Sequence, residues 1–174
     1  MTGKDFLNSL GGGKNDMLQE LLGILSKTGS DYCIIGGLAV NAYVEPVVSL
    51  DIDIIVTVDK TAEVSAAARA RQMKVEEFPH SLNISMQGSD LRIQLQTDPR
   101  YQDFIGNSVI KDILGYKMKV ALLADVLQGK IWAYLDNTRR GSKRQKDLAD
   151  ISRIIEAYPD LSPALPNTIK AQLL

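Results

Sequence analysis

Apolar residues recur along the chain at two spacings, which predict where helices and strands lie. Between residues 17 and 25 they follow the spacing of a helix, which Asn15 or Asp16 can cap and Gly29 can end. The run "YCIIGG" at 32–37 is short, apolar and closed by two glycines, so it predicts a strand followed by a turn. The segment "LAVNAYV" after it predicts a short helix that ends before a proline.

Alternating apolar and polar positions predict strands in the middle of the chain. "LDIDIIVTV", which begins at Leu50, predicts a strand, and the alanine-rich "TAEVSAAARARQM" predicts a helix after it. "SLNISM" and "LRIQLQT" are two alternating runs separated by "QGSD", in which Gly88 can supply a hairpin turn. "SVIKDIL" and "YKMKV" predict a second hairpin that bends at Gly115. Hairpins pair strands in antiparallel orientation, whereas strands connected by helices can pair in parallel. Because the chain is predicted to contain both, we expect a mixed sheet.

Helical spacing dominates again from Leu122 onward. "LADVLQGKIWAYLDN" and "SKRQKDLADISRIIEAY" each predict a helix. The chain has 174 residues, of which 45% are hydrophobic and 24% charged, and this is ordinary for one globular domain. The predicted fold class is α+β: one domain over residues 1–174, with an α/β core at about 16–120 and C-terminal helices at about 121–174.

The composition argues against several classes of protein. A net charge of -1 does not suit a protein that coats nucleic acid by bulk electrostatics. The chain has one cysteine, Cys33, which rules out an internal disulfide. It also has one histidine, and so few cysteine and histidine residues argue against a zinc site. No window approaches the roughly 20 apolar residues of a membrane span, and no apolar signal core is present. We therefore expect a cytoplasmic protein with no membrane or zinc partner.

The strand "LDIDIIV" carries two aspartates where a buried strand would carry apolar residues. Because side chains alternate along a strand, Asp51 and Asp53 share one face, while Ile52, Ile54 and Val56 share the other. Two like charges this close repel each other. They require a cation between them or a face open to water.

The paired glycines supply the second half of a candidate site. Gly36 and Gly37 end one strand at the start of a helix, where backbone N–H groups and the helix dipole favour a phosphate. Magnesium is usually held by one or two carboxylates plus substrate phosphates, so Asp51 and Asp53 complement the glycines. Taken alone, an Asp-x-Asp strand can be a solvent-facing edge and a glycine pair an ordinary turn. Together they favour a site for a nucleotide and a metal.

This arrangement, "GG" at 36–37 followed by "DID" at 51–53, resembles the DNA polymerase β-like nucleotidyltransferase superfamily. "LQGKIWAYLDNTRRGSKRQKDLADI" is similar to the C-terminal helices of its bacterial single-domain members, which include type IV toxin nucleotidyltransferases, and the resemblance spans Tyr32 to Ile155. It implies transfer of a nucleoside monophosphate from an NTP, by default ATP, with Mg²⁺ or Mn²⁺ as cofactor. The acceptor would be a hydroxyl of RNA, protein or a small molecule, and a role in a toxin–antitoxin pair stays open.

The resemblance also implies roles for individual residues of this chain. Two carboxylates on one strand would bind the metal, a third on a C-terminal helix would join them in catalysis, and glycines, a hydroxyl and two lysines would bind the nucleotide. These residues are Asp51 and Asp53 as metal ligands and catalytic groups, Asp147 as the further catalytic carboxylate, and Gly36, Gly37, Ser49, Lys130 and Lys146 as the nucleotide-binding set.

The chain departs from the family at one strand. Classical members carry a third carboxylate there, whereas "LRIQLQTD" has Gln94 and Gln96. Glutamine cannot accept a proton at neutral pH, and it binds magnesium more weakly than a carboxylate. Asp98 can substitute, Asp147 can provide the base, or catalysis is impaired. In the last case the protein is a nucleotide- or partner-binding module of the same fold.

The C-terminal segment carries a basic cluster that permits several interpretations. Its cations can offset the charge of a triphosphate, contact an RNA acceptor, or lie in an exposed loop. Lys130 can be a lysine that snorkels from a half-buried helix, and Lys146 and Asp147 can lie with Asp150 on a solvated helix surface. Nearby aromatic side chains are expected to pack. The cluster consists of Arg139, Arg140, Lys143, Arg144 and Lys146, and the aromatic residues are Tyr101, Trp132 and Tyr134.

Overall fold

Seven strands form one mixed sheet in this protein. The structure is a computed structural model that describes residues 3–10, 12 and 16–173. The strands are β1 (Tyr32–Ile35), β2 (Asp51–Val56), β3 (Lys74–Phe78), β4 (Ser81–Ser85), β5 (Arg92–Gln96), β6 (Val109–Ile113) and β7 (Tyr116–Val120). Their order across the sheet is β3-β4-β5-β2-β1-β7-β6. Strand β2 pairs in parallel with β5, and β1 in parallel with β7, while the other neighbours are antiparallel. The predicted mixed sheet and both predicted hairpins are confirmed.

The helices connect these strands and close the C-terminal side of the fold. They are α1 (Gly3–Leu10), α2 (Met17–Thr28), α3 (Gly36–Val40), α4 (Thr61–Ala70), α5 (Asp103–Gly106), α6 (Leu123–Leu135), α7 (Gly141–Ala157) and α8 (Asn167–Leu173). Helices α2 and α4 pack against each other, α6 packs along α7, and α3 contacts both β2 and α6. Among the described residues, no helix is long and apolar enough to cross a membrane.

Helix α2 begins and ends as its sequence predicts. The Asp16 side chain accepts a hydrogen bond from the Gln19 N–H at 2.9 Å, which caps the helix. Gly29 ends it in the left-handed conformation, at a φ of 64°. Asn15, the alternative cap, lies outside the described residues. The apolar face of α2 is buried in a core shared with the sheet, so local spacing and tertiary packing agree.

Three local predictions are wrong or incomplete. Helix α3 begins at Gly36 itself, so the glycines belong to its first turn. Helix α4 ends at Ala70 because Gln72 adopts a left-handed conformation, with a φ of 61°. Strand β3 was not predicted: it is an edge strand with mostly exposed side chains, so no buried face produces the alternation that marks a strand. Helices α1, α5 and α8 were not predicted either, because each is too short to show a clear helical spacing of apolar residues.

Candidate active site

The residues predicted to form the site converge on one cleft of about 320 Å³. The start of α3, strands β2, β4 and β5, and helices α6 and α7 surround it. Gly36 lines a smaller cavity of about 70 Å³, which Asp53 and Lys130 also line. Seven of the eight predicted residues line the cleft itself: Gly37, Ser49, Asp51, Asp53, Lys130, Lys146 and Asp147.

Asp51 faces the cleft from the first position of β2 and is paired with a lysine. Lys143 Nζ donates a hydrogen bond to Asp51 Oδ2 at 2.6 Å, and Arg92 Nε lies 3.9 Å from Asp51 Oδ1. Partial burial disfavours ionisation of this carboxyl, but the hydrogen bond and charge of Lys143, with Arg92 and Lys146, outweigh it and lower its pKa. Asp51 is therefore ionised at neutral pH.

Asp53, two residues further along the same face, has no such partner. Burial raises the pKa of its carboxyl, and Asp51 adds to this, although Lys130 and Arg139 act in the opposite direction. Across residues 3–10, 12 and 16–173, no donor reaches the Asp53 carboxylate by a hydrogen bond or an ion pair. Gly36 makes room for it: Gly36 has a φ of 68°, and a Cβ there would collide with Asp53 Oδ2.

The carboxylates of β2 fit a hard divalent cation. Asp53 is a partly buried carboxyl without a donor, and a buried carboxylate is normally paired or bound to a metal. Magnesium takes one or two protein carboxylates and completes its shell with water and substrate phosphates. No group of three or more histidine, cysteine, aspartate or glutamate side chains that could enclose a metal is found in the described part of the chain. The donor set therefore suits a metal that arrives with a phosphate ligand.

A second pair of aspartates, on α7, is saturated by cations. Lys130 Nζ donates to Asp147 Oδ1 at 2.9 Å and lies 2.7 Å from Asp150 Oδ2. Arg139 Nε donates to Asp147 Oδ2 at 2.7 Å. Burial alone would lower the pKa of Lys130, but the carboxylates of Asp150 and Asp147 outweigh the effect of burial. The pKa of Lys130 is therefore raised, and its ammonium stays charged. Lys130 is 7% exposed and Asp147 1%, so the snorkelling and solvated-surface interpretations of these residues are wrong.

The loop between α3 and β2, residues 41–50, is tied to α7 by an arginine. Arg153 donates from Nη1 to Asp150 Oδ1 at 2.7 Å and from Nη2 to Asn41 Oδ1 at 3.2 Å, and also reaches the Glu45 carbonyl. The Asn41 amide in turn bonds both the N–H and the C=O of Val47, at 3.0 and 2.7 Å. This arrangement holds the loop that carries Ser49 into the cleft.

The hydroxyl of Ser49 joins this loop to the basic side of the cleft. Ser49 Oγ donates to the Asp51 carbonyl at 3.1 Å and accepts from Lys146 Nζ at 3.2 Å. Gly37 lies beside Ser49, since a Cβ on Gly37 would be 3.9 Å from Ser49 Oγ. Gly37, Ser49 and Lys146 thus form one end of the cleft, with the backbone, hydroxyl and ammonium groups that a phosphate requires.

Most members of the basic cluster make polar contacts within the protein, although Arg139, Arg140 and Lys146 are exposed. Arg139 binds Asp147, Lys143 binds Asp51 and Lys146 binds Ser49. Arg144 Nε donates to the Tyr134 carbonyl at 2.7 Å, and its guanidinium lies 5.3 Å from the Tyr134 ring centroid. The cluster therefore serves the cleft, and the expectation that Tyr134 packs is confirmed. Tyr101, Phe104 and Trp132 pack together as well, with ring centroids 5.3 to 5.9 Å apart.

The third carboxylate of the family is absent from the position beside Asp53. In the parallel pairing of β2 with β5, Gln94 lies directly opposite Asp53, and Asn83 of β4 lies opposite Gln94. Asp98 is bound by Arg100 at 2.7 Å and does not line the cleft, so the structure gives no support to Asp98 as a substitute. The polar row from Asp53 through Gln94 and Asn83 leads away from the phosphate end.

Sequence reasoning missed several residues of the cleft. Arg92 and Asn83 come from strands whose register no local pattern reveals. Arg139 and Lys143 were recognised as basic, but not as partners of Asp147 and Asp51. The spacing of three between Asp147 and Asp150 was the available signal for the α7 pair, because it places both carboxylates on one helix face.

The fold is similar to that of solved nucleotidyltransferases, which agrees with the resemblance and confirms the α+β class predicted from the sequence. No family model matches the chain, and no curated protein is significantly similar to it in sequence. Solved structures nevertheless match over nearly the whole chain at 12–16% identity. At this level of identity the likeness concerns the fold.

Three solved structures illustrate the similarity. ANT(2'')-Ia in complex with adenylyl-2''-tobramycin has a TM-score of 0.64 at 12% identity, over 91% of this chain and 97% of that one. The lincosamide antibiotic adenylyltransferase LnuA, lincomycin-bound, has a TM-score of 0.56 at 12% identity, over 81% and 98%. An antigenic nucleotidyltransferase-like protein from Paracoccidioides brasiliensis has a TM-score of 0.50 at 16% identity, over 89% and 94%.

Proposed function

We propose that this protein is a nucleotidyltransferase that uses Mg²⁺ or Mn²⁺ to transfer a nucleoside monophosphate from an NTP to a hydroxyl group. The observation that carries the proposal is the carboxylate pair of β2: Asp51 and Asp53 share one face at the cleft, and Asp53 has no donor among the described residues. Asp51 is paired with Lys143, but Asp53 has no cation bound to it, and a nucleotide-bound metal would supply one. In the reaction, the acceptor hydroxyl loses its proton to water, its oxygen bonds to the α-phosphorus, and the bond from that phosphorus to the leaving pyrophosphate breaks.

The groups around the carboxylates divide the work of this transfer. Gly37, Ser49 and Lys146 receive the phosphates at one end of the cleft. Asp51 and Asp53 hold the metal, which neutralises charge on the phosphates. Because Asp147 and Asp150 are already saturated by cations, we assign them to positioning Lys130 and Arg139 rather than to proton transfer. Catalysis then consists mainly of positioning and electrostatic stabilisation.

We further propose ATP as donor and a small hydroxyl compound as acceptor. Two structures with this fold are an adenylyl-tobramycin complex and a lincomycin-bound adenylyltransferase, so adenylyl transfer to small molecules is compatible with the fold. The basic residues that would contact RNA are engaged within the cleft, which leaves a weak electrostatic basis for an RNA acceptor. The acceptor would lie over Gln94 and Asn83, away from the phosphate end.

A second candidate function rests on Gln94. An amide beside Asp53 cannot take the proton of the acceptor hydroxyl and adds little to metal binding. The chain would then bind a nucleotide without transferring it. The same experiment separates the two functions, because only an enzyme forms product.

The experiment offers each of four α-labelled NTPs, with Mg²⁺ or Mn²⁺, to the wild type and to Asp51→Asn and Asp53→Asn. Acceptors are tobramycin, lincomycin, total RNA and a cell lysate, and products are separated by chromatography and electrophoresis. Asp59→Asn, an exposed aspartate just beyond β2, is the matched control. Labelled product from the wild type and the control, but not from the two β2 variants, supports the enzyme. Metal-dependent nucleotide binding without product supports the second candidate, and loss of both overturns the proposal.

A further inference from the structure

Lys143 forms a hydrogen bond with Asp51 Oδ2, a carboxylate oxygen that a metal bound to Asp51 would need. It lies in the first turn of α7, and its ammonium donates to Asp51 Oδ2 at 2.6 Å, the distance of a charge-assisted hydrogen bond. Arg92 is 3.9 Å from the other oxygen of Asp51, beyond hydrogen-bond distance. Lys143 is therefore the resident counter-ion of Asp51.

We propose that Lys143 couples metal binding to nucleotide binding: a divalent cation replaces Lys143 at Asp51, and the triphosphate receives the displaced ammonium. This rests on the proposed function, since it assumes that Asp51 binds the metal. A cation that binds Asp51 alone must break the Lys143 hydrogen bond without compensation. A cation that arrives with a triphosphate provides a new anion for Lys143 in the same step.

The other carboxylates in and beside the cleft already have partners or belong to the metal pair. Glu76, at the edge of the cleft, is bound by Lys74 at 2.7 Å. Asp147 already accepts from Lys130 and Arg139, and Asp150 is paired with Lys130 and Arg153. Asp53 is the partner of Asp51 in the metal pair. The phosphate end of the cleft, where Lys146 bonds Ser49, is the place where Lys143 can find a new anion.

The side chain of Lys143 is able to make this exchange. It is 35% exposed, and the Asp51 side chain is 34% exposed, so water surrounds part of the pair. The lysine stem has four flexible bonds and carries its charge at one point, so it can turn toward a phosphate without a backbone change. Because coupling between two ligands is reciprocal, the metal must also strengthen nucleotide binding by the same factor.

The test measures the affinity for Mn²⁺ from the electron paramagnetic resonance signal of the free ion, with and without a non-hydrolysable ATP analogue. Binding of Mn²⁺ to the analogue alone is titrated separately and subtracted. Wild type is compared with Lys143→Met, with Lys143→Arg, which keeps the charge, and with Asp51→Asn, which removes the ligand. Arg140→Met removes an exposed positive charge from the same segment and is the matched control. Urea unfolding of each variant verifies that it is folded.

We expect Lys143→Met to bind Mn²⁺ alone about threefold to tenfold more tightly than wild type, since it frees Asp51 from a half-exposed ion pair. The enhancement of Mn²⁺ affinity by the analogue should shrink by a similar factor, while Lys143→Arg and Arg140→Met keep it. An unchanged Mn²⁺ affinity in Lys143→Met, or an unchanged enhancement, overturns the coupling.

The results also separate this inference from the proposed function. If wild type binds Mn²⁺ through Asp51 and transfers label, but Lys143→Met shows the same enhancement, the coupling alone is wrong. If Mn²⁺ binds neither wild type nor Lys143→Met, with or without the analogue, the metal site and the coupling both fail. If Asp51→Asn binds Mn²⁺ as tightly as wild type, the ion lies elsewhere and both fail as well.

Discussion

Two pairs of aspartates lie at or beside the same cleft, and their surroundings differ. On α7, Asp147 and Asp150 are buried, and lysine and arginine side chains bind them on every side. On β2, Asp51 has one close cation and Asp53 has no donor in the described part of the chain. The two pairs have the same chemistry, but only the pair on β2 leaves carboxylate oxygens available.

This difference separates a structural charge from a ligand site. A buried charge is costly unless it is paired, so the α7 pair is stable because Lys130, Arg139 and Arg153 accompany it. Asp53 has no hydrogen-bond or ion-pair partner among the described residues, and burial raises the pKa of its carboxyl. Local instability of this kind is common where a protein binds a ligand. The same substitution should therefore mainly lower the stability of the fold in the α7 pair, and mainly reduce metal-dependent nucleotide binding in the β2 pair.

The largest expected effect comes from Asp147→Asn compared with Asp53→Asn. Asp147→Asn leaves Arg139 without its carboxylate and weakens the hold on Lys130, so it should lower the free energy of unfolding by about 3 kcal/mol. Asp53→Asn replaces a carboxyl that no donor holds and should change that free energy by less than about 1 kcal/mol. Urea unfolding monitored by the fluorescence of Trp132 measures both.

For metal-dependent nucleotide binding, the substitution at position 53 should have the larger direct effect. Asp53→Asn remains folded and loses metal-dependent nucleotide binding, whereas Asp147→Asn loses binding only to the extent that it unfolds. Asp59→Asn serves again as a control for the loss of an exposed charge. Equal losses of stability at positions 53 and 147 would contradict the distinction between the two pairs.

The carboxylate pair of β2 could be predicted from the sequence because it depends on local geometry alone. Alternation places Asp51 and Asp53 on one face, and the buried Ile52, Ile54 and Val56 confirm it. The cap of α2 at Asp16 and the hairpins are local in the same sense. Strand β3 was missed because an exposed edge strand lacks a buried face.

The pairing of charges could not be predicted, because it depends on packing between distant segments. Lys143 and Asp51 are 92 residues apart in the chain, and Lys130 and Asp147 are 17 apart on different helices. Composition reveals five basic residues near the C-terminal helices, but only the three-dimensional arrangement shows that three of them bind within the cleft. The same limit applies to Gln94, whose place beside Asp53 depends on a parallel pairing.

A smaller effect is expected from Gln94→Asp. This substitution adds a carboxylate beside the β2 pair and so increases its difference from the α7 pair. A third carboxylate opposite Asp53 should tighten Mn²⁺ binding about tenfold, because magnesium and manganese prefer carboxylate to amide oxygen. Without metal the added repulsion should destabilise the fold by about 1 kcal/mol. Calorimetric titration with Mn²⁺ and urea unfolding measure the two effects.

The control for Gln94→Asp is Gln96→Asp, two residues further along the same face of β5 and opposite Ile55. It adds the same charge opposite Ile55 instead of directly opposite Asp53, although Gln96 lines the smaller cavity with Asp53. An equal gain in Mn²⁺ affinity from both substitutions would show that general acidity, and not a position next to the pair, is responsible. A rise in transfer rate in Gln94→Asp would indicate that glutamine limits catalysis in the wild type.

The smallest effect is expected from Arg153, which connects the α7 pair to the loop at residues 41–50. Its guanidinium bonds Asp150 on one side and Asn41 on the other, so Arg153→Met should loosen residues 41–50 while Lys130 still neutralises Asp150. Nucleotide affinity should fall about threefold and unfolding free energy by less than about 1 kcal/mol. Hydrogen exchange should accelerate at the Val47 N–H, which bonds Asn41, and not in α6. Asn41→Ala should reproduce the change; unaltered exchange in both variants would mean that the α7 pair does not support the loop carrying Ser49.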